Sequence, residues 1–189
     1  MANTSELEDA GDEKITTGAD NGLSLANLRG KDYDDEQWDA LLDQMTIEEM
    51  SNLIGYGAYS TQAVSSINKP ATTDLDGPAG LNGLTSGISG VQFATEPVLA
   101  ATWNQELAER FGECFGKEAN AYGVSGLYAP AMNIHRTPFS GRNFEYYSED
   151  SLLSGKMGSA VVRGASSQGV YCYIKHFALN DQETNRLGV

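Results

Sequence analysis

Two long amphipathic segments constrain this chain more than anything else in it: "NQELAERFGECFGKEANAYG", which stops at Gly123, and "EDSLLSGKMGSAVVRGASSQG", which stops at Gly169. In the first, Leu107, Phe111, Cys114, Phe115 and Ala119 recur near the helical period; in the second, Leu152, Leu153, Met157, Val161 and Val162 do. Each is followed by a short apolar run, "GLYAPAMN" (126–133) and "VYCYIKHF" (170–177), which reads as a strand. "ATTDLDGPAG" begins like a strand and breaks at Gly77-Pro78, and "PVLAAT" (97–102) reads as one more. Strands alternating with helices at this spacing build parallel βα units, so the expected class is α/β.

Upstream, "DDEQWDALLDQM" places Trp38, Leu41, Leu42 and Met45 on one helical face. A second helix starts at Thr46, where Thr46 and Glu49 have the spacing of a capping box. Ile47, Met50 and Ile54 form its expected apolar stripe, and Gly55 and Gly57 end it. Residues 1–30 have little to bury and read as a flexible acidic leader or linker, with the folded part over 31–189.

Net charge is −14, of which −11 falls in the first fifty residues. Phosphate binding needs clustered Lys and Arg, so nucleic acid is not an expected partner. No apolar run approaches the length of a membrane span, and no basic segment leads into an apolar one at the start. The expected location is therefore the cytoplasm, with no membrane contact. Cys114 and Cys172 read as free, buried thiols. No Cys/His spacing suits a metal, and neither a phosphate-binding nor a dinucleotide-binding glycine loop occurs, so no cofactor is expected.

In parallel βα folds ligand groups gather at the carboxyl ends of strands. That rule sorts the polar clusters: Asp74 and Asp76 end one strand; Asn133, His135, Arg136 and then Arg142 follow another; Lys175 and His176 finish the last. Asp76, Arg142, Lys175 and His176 together offer a carboxylate acceptor beside charged donors, which is what a selective site for a neutral polyol needs. Each has a plainer reading. Asp76 can be a turn former before Gly-Pro, Arg142 a surface ion pair with Glu145, and His176 a buried, satisfied histidine. His135-Arg136 reads as a buttress for Arg142, and Tyr146-Tyr147 as packing.

"DGPAG", "APAMNIHRTPFSGRNFEYYSED" and "KHFALNDQETNR" together resemble the barrel domain of glycoside hydrolase family 3, the β-glucosidase group, and "ATWNQELAERFGECFGKEANAYG" resembles the helix after that family's second strand. The resemblance runs from about Asp34 to the end. It implies a partial TIM-like (β/α) barrel holding about the first four βα units, because a whole barrel takes roughly 250 residues. It implies a retaining O-glycosyl hydrolase of β-glucosidase or β-xylosidase type, acting on a β-glucoside or small oligosaccharide. Asp76, Arg142, Lys175 and His176 would bind the sugar in the −1 subsite, with Arg186 nearby. No residue here matches the family's nucleophile context, so no catalytic residue is assigned to this chain, and the alternative is an inactive sugar-binding or inert fragment. Two positions depart from the family pattern: Asn82, where many relatives carry Arg, and Ser151, where many carry Pro. A partial barrel leaves open sheet edges, from which a homodimer covering them is expected.

Overall fold

The computed structural model describes residues 15–84, 86–176 and 178–188. The chain divides into two compact units, one holding residues up to Gly57 together with Gln62–Ala71, the other Ala58–Thr61 and the chain from Thr72 onward.

The first unit contains α1 (Gln37–Leu42) and α2 (Ile47–Gly55). The capping box forms as the sequence predicts: Thr46 Oγ1 accepts from Glu49 N, and Glu49 accepts from Thr46 N. Glu49 also binds Ser65 and Ser66, which fixes the rotation of α2. Met50 and Leu53 therefore pack on the core of Leu28, Leu41, Met45, Val64 and Ile67, while Ile47 and Ile54 of the expected stripe face solvent, as does Leu42 of α1. Of the expected leader, residues 1–14 lie outside the described residues. Beyond them most of residues 15–30 are exposed, and the segment is tied down at points: Ala19 N donates to Asp43 O, the Gln44 amide bonds both backbone groups of Leu23, and Leu28 is 1% exposed.

The second unit is built on a four-stranded sheet in the order β1-β2-β3-β4, with β1 Ser60–Thr61, β2 Thr72–Asp76, β3 Gly126–Tyr128 and β4 Tyr171–Cys172. The pair β1/β2 is antiparallel; β2, β3 and β4 are parallel, with Asp76 opposite Tyr128 and Leu127 opposite Cys172. Parallel strands laid down in sequence order, without reversal, form the arc of a barrel rather than a doubly wound sheet. The described arc has three parallel strands joined by two helical crossovers. Between β2 and β3 run α3 (Glu96–Ala100) and α4 (Gln105–Ala121); between β3 and β4 runs α5 (Ser151–Ser167).

The expected strand at 97–102 is instead α3. Thr95 is extended at its N-cap and Pro97 sits in the first turn, where a missing N–H costs nothing. Its apolar residues Leu99 and Ala100 bury against Tyr147, Met157, Ala160 and Val161. In α4 the buried face is Ala108, Gly112, Phe115, Gly116 and Ala119. Leu107 and Cys114 lie outside that face and are exposed, so Cys114 is a free surface thiol and only Cys172 is partly covered. Ser151 is the first residue of α5, the position where Pro is tolerated, so that departure from the family pattern leaves the helix start intact.

Helices α4 and α5 touch backbone to backbone. A Cβ on Gly112 would lie 2.1 Å from Val161 O, and one on Gly164 would lie 2.0 Å from Glu109 O. Under the sheet, Leu75, Leu81, Phe115, Val124, Leu127 and Val170 form the main core, closed by the rings of Phe93 and Phe111. No helix among the described residues is long and apolar enough to cross a membrane.

Candidate functional site

Three strand ends of the second unit deliver their polar residues to one place. Asp76 is the last residue of β2, before the Gly77 turn. After β3 the chain passes the cis Ala129–Pro130 bond and reaches Asn133. It then loops to Arg142, at the entry of a short 3-10 turn over Asn143–Glu145. After β4, Ala131 bridges Lys175, whose peptide bond to His176 is cis.

Lys175 is the hub. Its Nζ lies 2.6 Å from Asp76 Oδ1 and 3.5 Å from Glu145 Oε2. Glu145 is buried, at 4% exposure, and its other oxygen accepts from Arg142 Nε. Arg142 continues the chain, with Nη1 3.3 Å from Glu183 Oε1, and Glu183 Oε2 accepts from Arg186 Nη1 at 3.0 Å. Acid and base thus alternate from Asp76 through Lys175, Glu145, Arg142 and Glu183 to Arg186. Buried charges in this order are each partnered, which a low-dielectric setting requires.

His176 hangs on the same chain. Arg142 Nη2 lies 3.0 Å from its Nε2, and Tyr146 Oη lies 2.8 Å from its Nδ1. A guanidinium only donates, so Nε2 accepts and the proton of the neutral ring sits on Nδ1, donating to Tyr146 Oη. Burial, with Arg142 and Lys175 beside it, pushes the imidazole below its ordinary value, which agrees with a neutral ring. Its backbone N–H donates to Asn133 Oδ1 at 3.0 Å. Asn180 Nδ2 donates to both Tyr146 Oη, at 2.6 Å, and Glu183 Oε1, at 3.2 Å, tying the last segment to the ring.

Of the residues singled out from sequence, Asp76, Arg142, Lys175 and His176 form one connected cluster. Arg186 is ion-paired to it through Glu183, with its own side chain half exposed. Asp74 does not join. It is buried and accepts from Tyr171 Oη and Tyr173 Oη, at 2.8 and 3.0 Å, which makes it part of the sheet's own bonding. His135 Nε2 lies 2.9 Å from Asn143 O, bracing the turn that carries Arg142. Asn82 contributes backbone rather than side chain, exchanging both hydrogen bonds with Asp76. The Arg142–Glu145 pair is buried rather than superficial. Sequence reasoning gave no site role to Asn180 or Glu183, took Glu145 as a surface partner of Arg142 and took Tyr146 as packing. For Glu145 the signal was present, since an acid three residues after an arginine shares a face of one tight turn.

Asp76 Oδ1 takes both Gly77 N–H, at 2.9 Å, and Lys175. Among the described residues nothing donates to its Oδ2, and the side chain is 29% exposed. A carboxylate oxygen open to solvent beside an ammonium can accept from one hydroxyl while its neighbour donates to the next. A separate cavity of about 420 Å³ is lined by Pro97, Ala100, His135, Asn143 and Tyr147 among others, and by none of the cluster. Among the described residues no group of three or more His, Cys, Asp or Glu is placed to hold a metal ion.

Comparison with known proteins bears on this geometry. The family described as "Glycosyl hydrolase family 3 N terminal domain" matches residues 42–185. A beta-glucosidase of Rhizobium radiobacter is 43% identical over 152 residues, covering 78% of this chain and 19% of that protein. Beta-glucosidase A of Butyrivibrio fibrisolvens is 40% identical over 154 residues, covering 81% and 18%. Among solved structures, beta-glucosidase 3B of Thermotoga neapolitana in complex with alpha-D-glucose matches with a TM-score of 0.68 and 43% identity, over 79% of this chain and 24% of that one. A beta-glucosidase from Paenibacillus barengoltzii matches with a TM-score of 0.72 and 30% identity, over 90% and 20%. The chain spans about a fifth of the length of the curated relatives it matches.

Proposed function

The chain belongs to glycosyl hydrolase family 3, matching its N-terminal domain, and on that premise we propose that the Asp76–Lys175–Glu145–Arg142–His176 cluster is the sugar-holding part of a β-glucosidase. The observation that carries this reading is Lys175 bridging Asp76 and Glu145 while Arg142 holds Glu145 and His176, which puts residues from three strand ends within one hydrogen-bonded span.

Asp76 supplies the acceptor for sugar hydroxyls through Oδ2. Lys175 and Arg142 supply charged donors, and His176, neutral with its proton on Nδ1, is held in register by Tyr146 and Asn133. Glu145 and Glu183 do not face the ligand as free carboxylates; each is spent on the cations. Their part is to fix the direction of the donors before the sugar arrives, which lowers the ordering cost of binding. Hydrolysis in a retaining glycosidase needs a carboxylate nucleophile and a separate acid about 5–5.5 Å apart. Every carboxylate in this cluster is committed to a cation, so the share of the reaction assigned to these residues is binding and orientation. Arg186 belongs to the rim of the site, and a β-glucoside or short β-linked oligosaccharide is the substrate class. For the sheet, whose β4 pairs on one side only among the described residues, a second copy of the chain is the proposed cover.

Calorimetric titration of the chain with D-glucose tests this reading. Saturable one-site binding that is weakened in Asp76→Asn is the expected result. Heat no different from buffer in the wild-type chain would remove the proposal.

A further inference from the structure

One ionisable group of the second unit is unaccounted for by the sugar cluster. Glu96, in the first turn of α3, is 2% exposed, and neither of its carboxyl oxygens has a hydrogen-bond partner among the described residues. Its helix packs against the Asn143–Glu145 turn and against α5. The charged groups that act on it are Glu145 from that turn and Lys175 from the end of β4, and Glu96 in turn acts on Tyr147. Cys172 of β4 borders the same space through Tyr147. Helix α5 brings no charge to it, because Lys156 and Arg163 are exposed.

Ionising this carboxyl is unfavourable in such a place: of the backbone groups among the described residues only its own N–H pulls toward the charged form, and Glu145, already the negative end of two ion pairs, acts against a second negative charge. Relying on the sugar-site reading above, we infer that Glu96 is a positioning residue: an uncharged acid that backs the Asp76–Lys175–Glu145–Arg142 chain, and whose loss of a proton would disorder that chain. Two like charges then oppose each other, one on α3 and one on the turn packed against it. Lys175 is drawn off Asp76 toward the new carboxylate, and the donors facing the sugar lose their alignment. Burial, with Glu145 adding to it against the pull of Glu96's own N–H and of Lys175, raises this carboxyl to about 8, so the proton is held at neutral pH and released just above it.

The test uses the 189-residue chain with its glutamate carboxyls labelled with carbon-13, wild type beside Glu96→Gln, and D-glucose as the probe. One carboxyl signal, missing in the Gln variant, is expected to titrate with a midpoint near 8. The affinity of the wild type for glucose is expected to weaken by up to about tenfold from pH 7 to pH 9, as the competent fraction falls. In Glu96→Gln the same comparison should show no such loss. A Glu96 signal titrating in the ordinary carboxylate range overturns the inference, and so does an alkaline loss of equal size in the Gln variant. If the variant does not fold, the wild-type titration alone decides the matter. If the wild type binds no glucose at either pH, it is the sugar-site reading that falls. Glu96 is then judged by whether the ring signals of His176 and Tyr146 move with its midpoint; their indifference would overturn the positioning role too.

Discussion

At the scale of single residues, Asp76 and His176 respond to change in opposite ways. Asp76 keeps one oxygen for the backbone turn and Lys175 and offers the other to solvent. Asp76→Asn retains the size and the turn but removes the charge from the hydroxyl acceptor. Hydrogen bonds to charged groups contribute about 1.5–3 kcal/mol, so glucose affinity should fall about tenfold to a hundredfold by calorimetry. Lys175 keeps Glu145 as its partner, so the melting temperature should move little. His176 makes itself felt in folding and pH. In the native chain its pKa is depressed, by burial first and then by Arg142 and Lys175. Below the ordinary histidine value the unfolded chain takes up a proton that the folded chain resists, so stability must fall as the pH drops through that window. Urea midpoints at pH 7.5 and 5.5 should show this loss, and His176→Gln, which cannot titrate, should show less of it.

At the scale of elements, the α4/α5 contact is where sequence spacing and packing meet. Gly155 and Gly164 lie in the same helix, yet a Cβ at Gly155 would meet nothing within 4 Å, while one at Gly164 would lie 2.0 Å from Glu109 O and 2.7 Å from Glu113 N. Replacing a helical glycine by alanine gains about 1 kcal/mol from propensity alone. Gly155→Ala should therefore raise the denaturation midpoint. Gly164→Ala should lower it, with stability reduced by up to about 2 kcal/mol net, because overpacking costs about 1–3 kcal/mol and here the obstacle is backbone that cannot rotate away. Both helices were legible in the sequence from their period and final glycines, and so was the capping box at Thr46. The helix α3 was not, because five residues of "EPVLA" carry too little periodicity to distinguish it from a strand; Pro97 after Thr95 was the better guide. Within the site the strand-end rule brought Asp76, Arg142, Lys175 and His176 together. It could not tell Asp74 from Asp76, because the two share a face of β2 and the groups that separate their environments, Tyr171 and Tyr173 on Asp74 and Lys175 on Asp76, lie far along the chain. Glu96 was equally hidden, since nothing local marks an acid in a first turn, where acids are common, as one that is buried.

At the scale of the whole molecule, the arrangement of carboxyls limits what these 189 residues can catalyse. Turnover of a β-glucoside by the retaining route requires one free carboxylate facing the anomeric carbon and one protonated carboxyl facing the leaving oxygen. Asp76, Glu145 and Glu183 are each ion-paired, which suits acceptors and supports but not a proton donor. The carboxyl that does hold its proton at neutral pH, that of Glu96, is enclosed and cannot touch a ligand. On the sugar-site proposal, binding without hydrolysis is the expected outcome. Given 4-nitrophenyl β-D-glucoside, the chain should bind it competitively with glucose and release no 4-nitrophenol above a protein-free blank. Release that exceeds the blank and is lost in Asp76→Asn would mean that one of these paired carboxylates leaves its cation when the sugar enters. The same preparation tests the sheet edge. Among the described residues β4 is paired on one side only and is flanked by the exposed Ile174, so the proposed cover by a second copy predicts a dimer or larger species by sedimentation at micromolar concentration. A monomer across that range would show that the edge is covered from within.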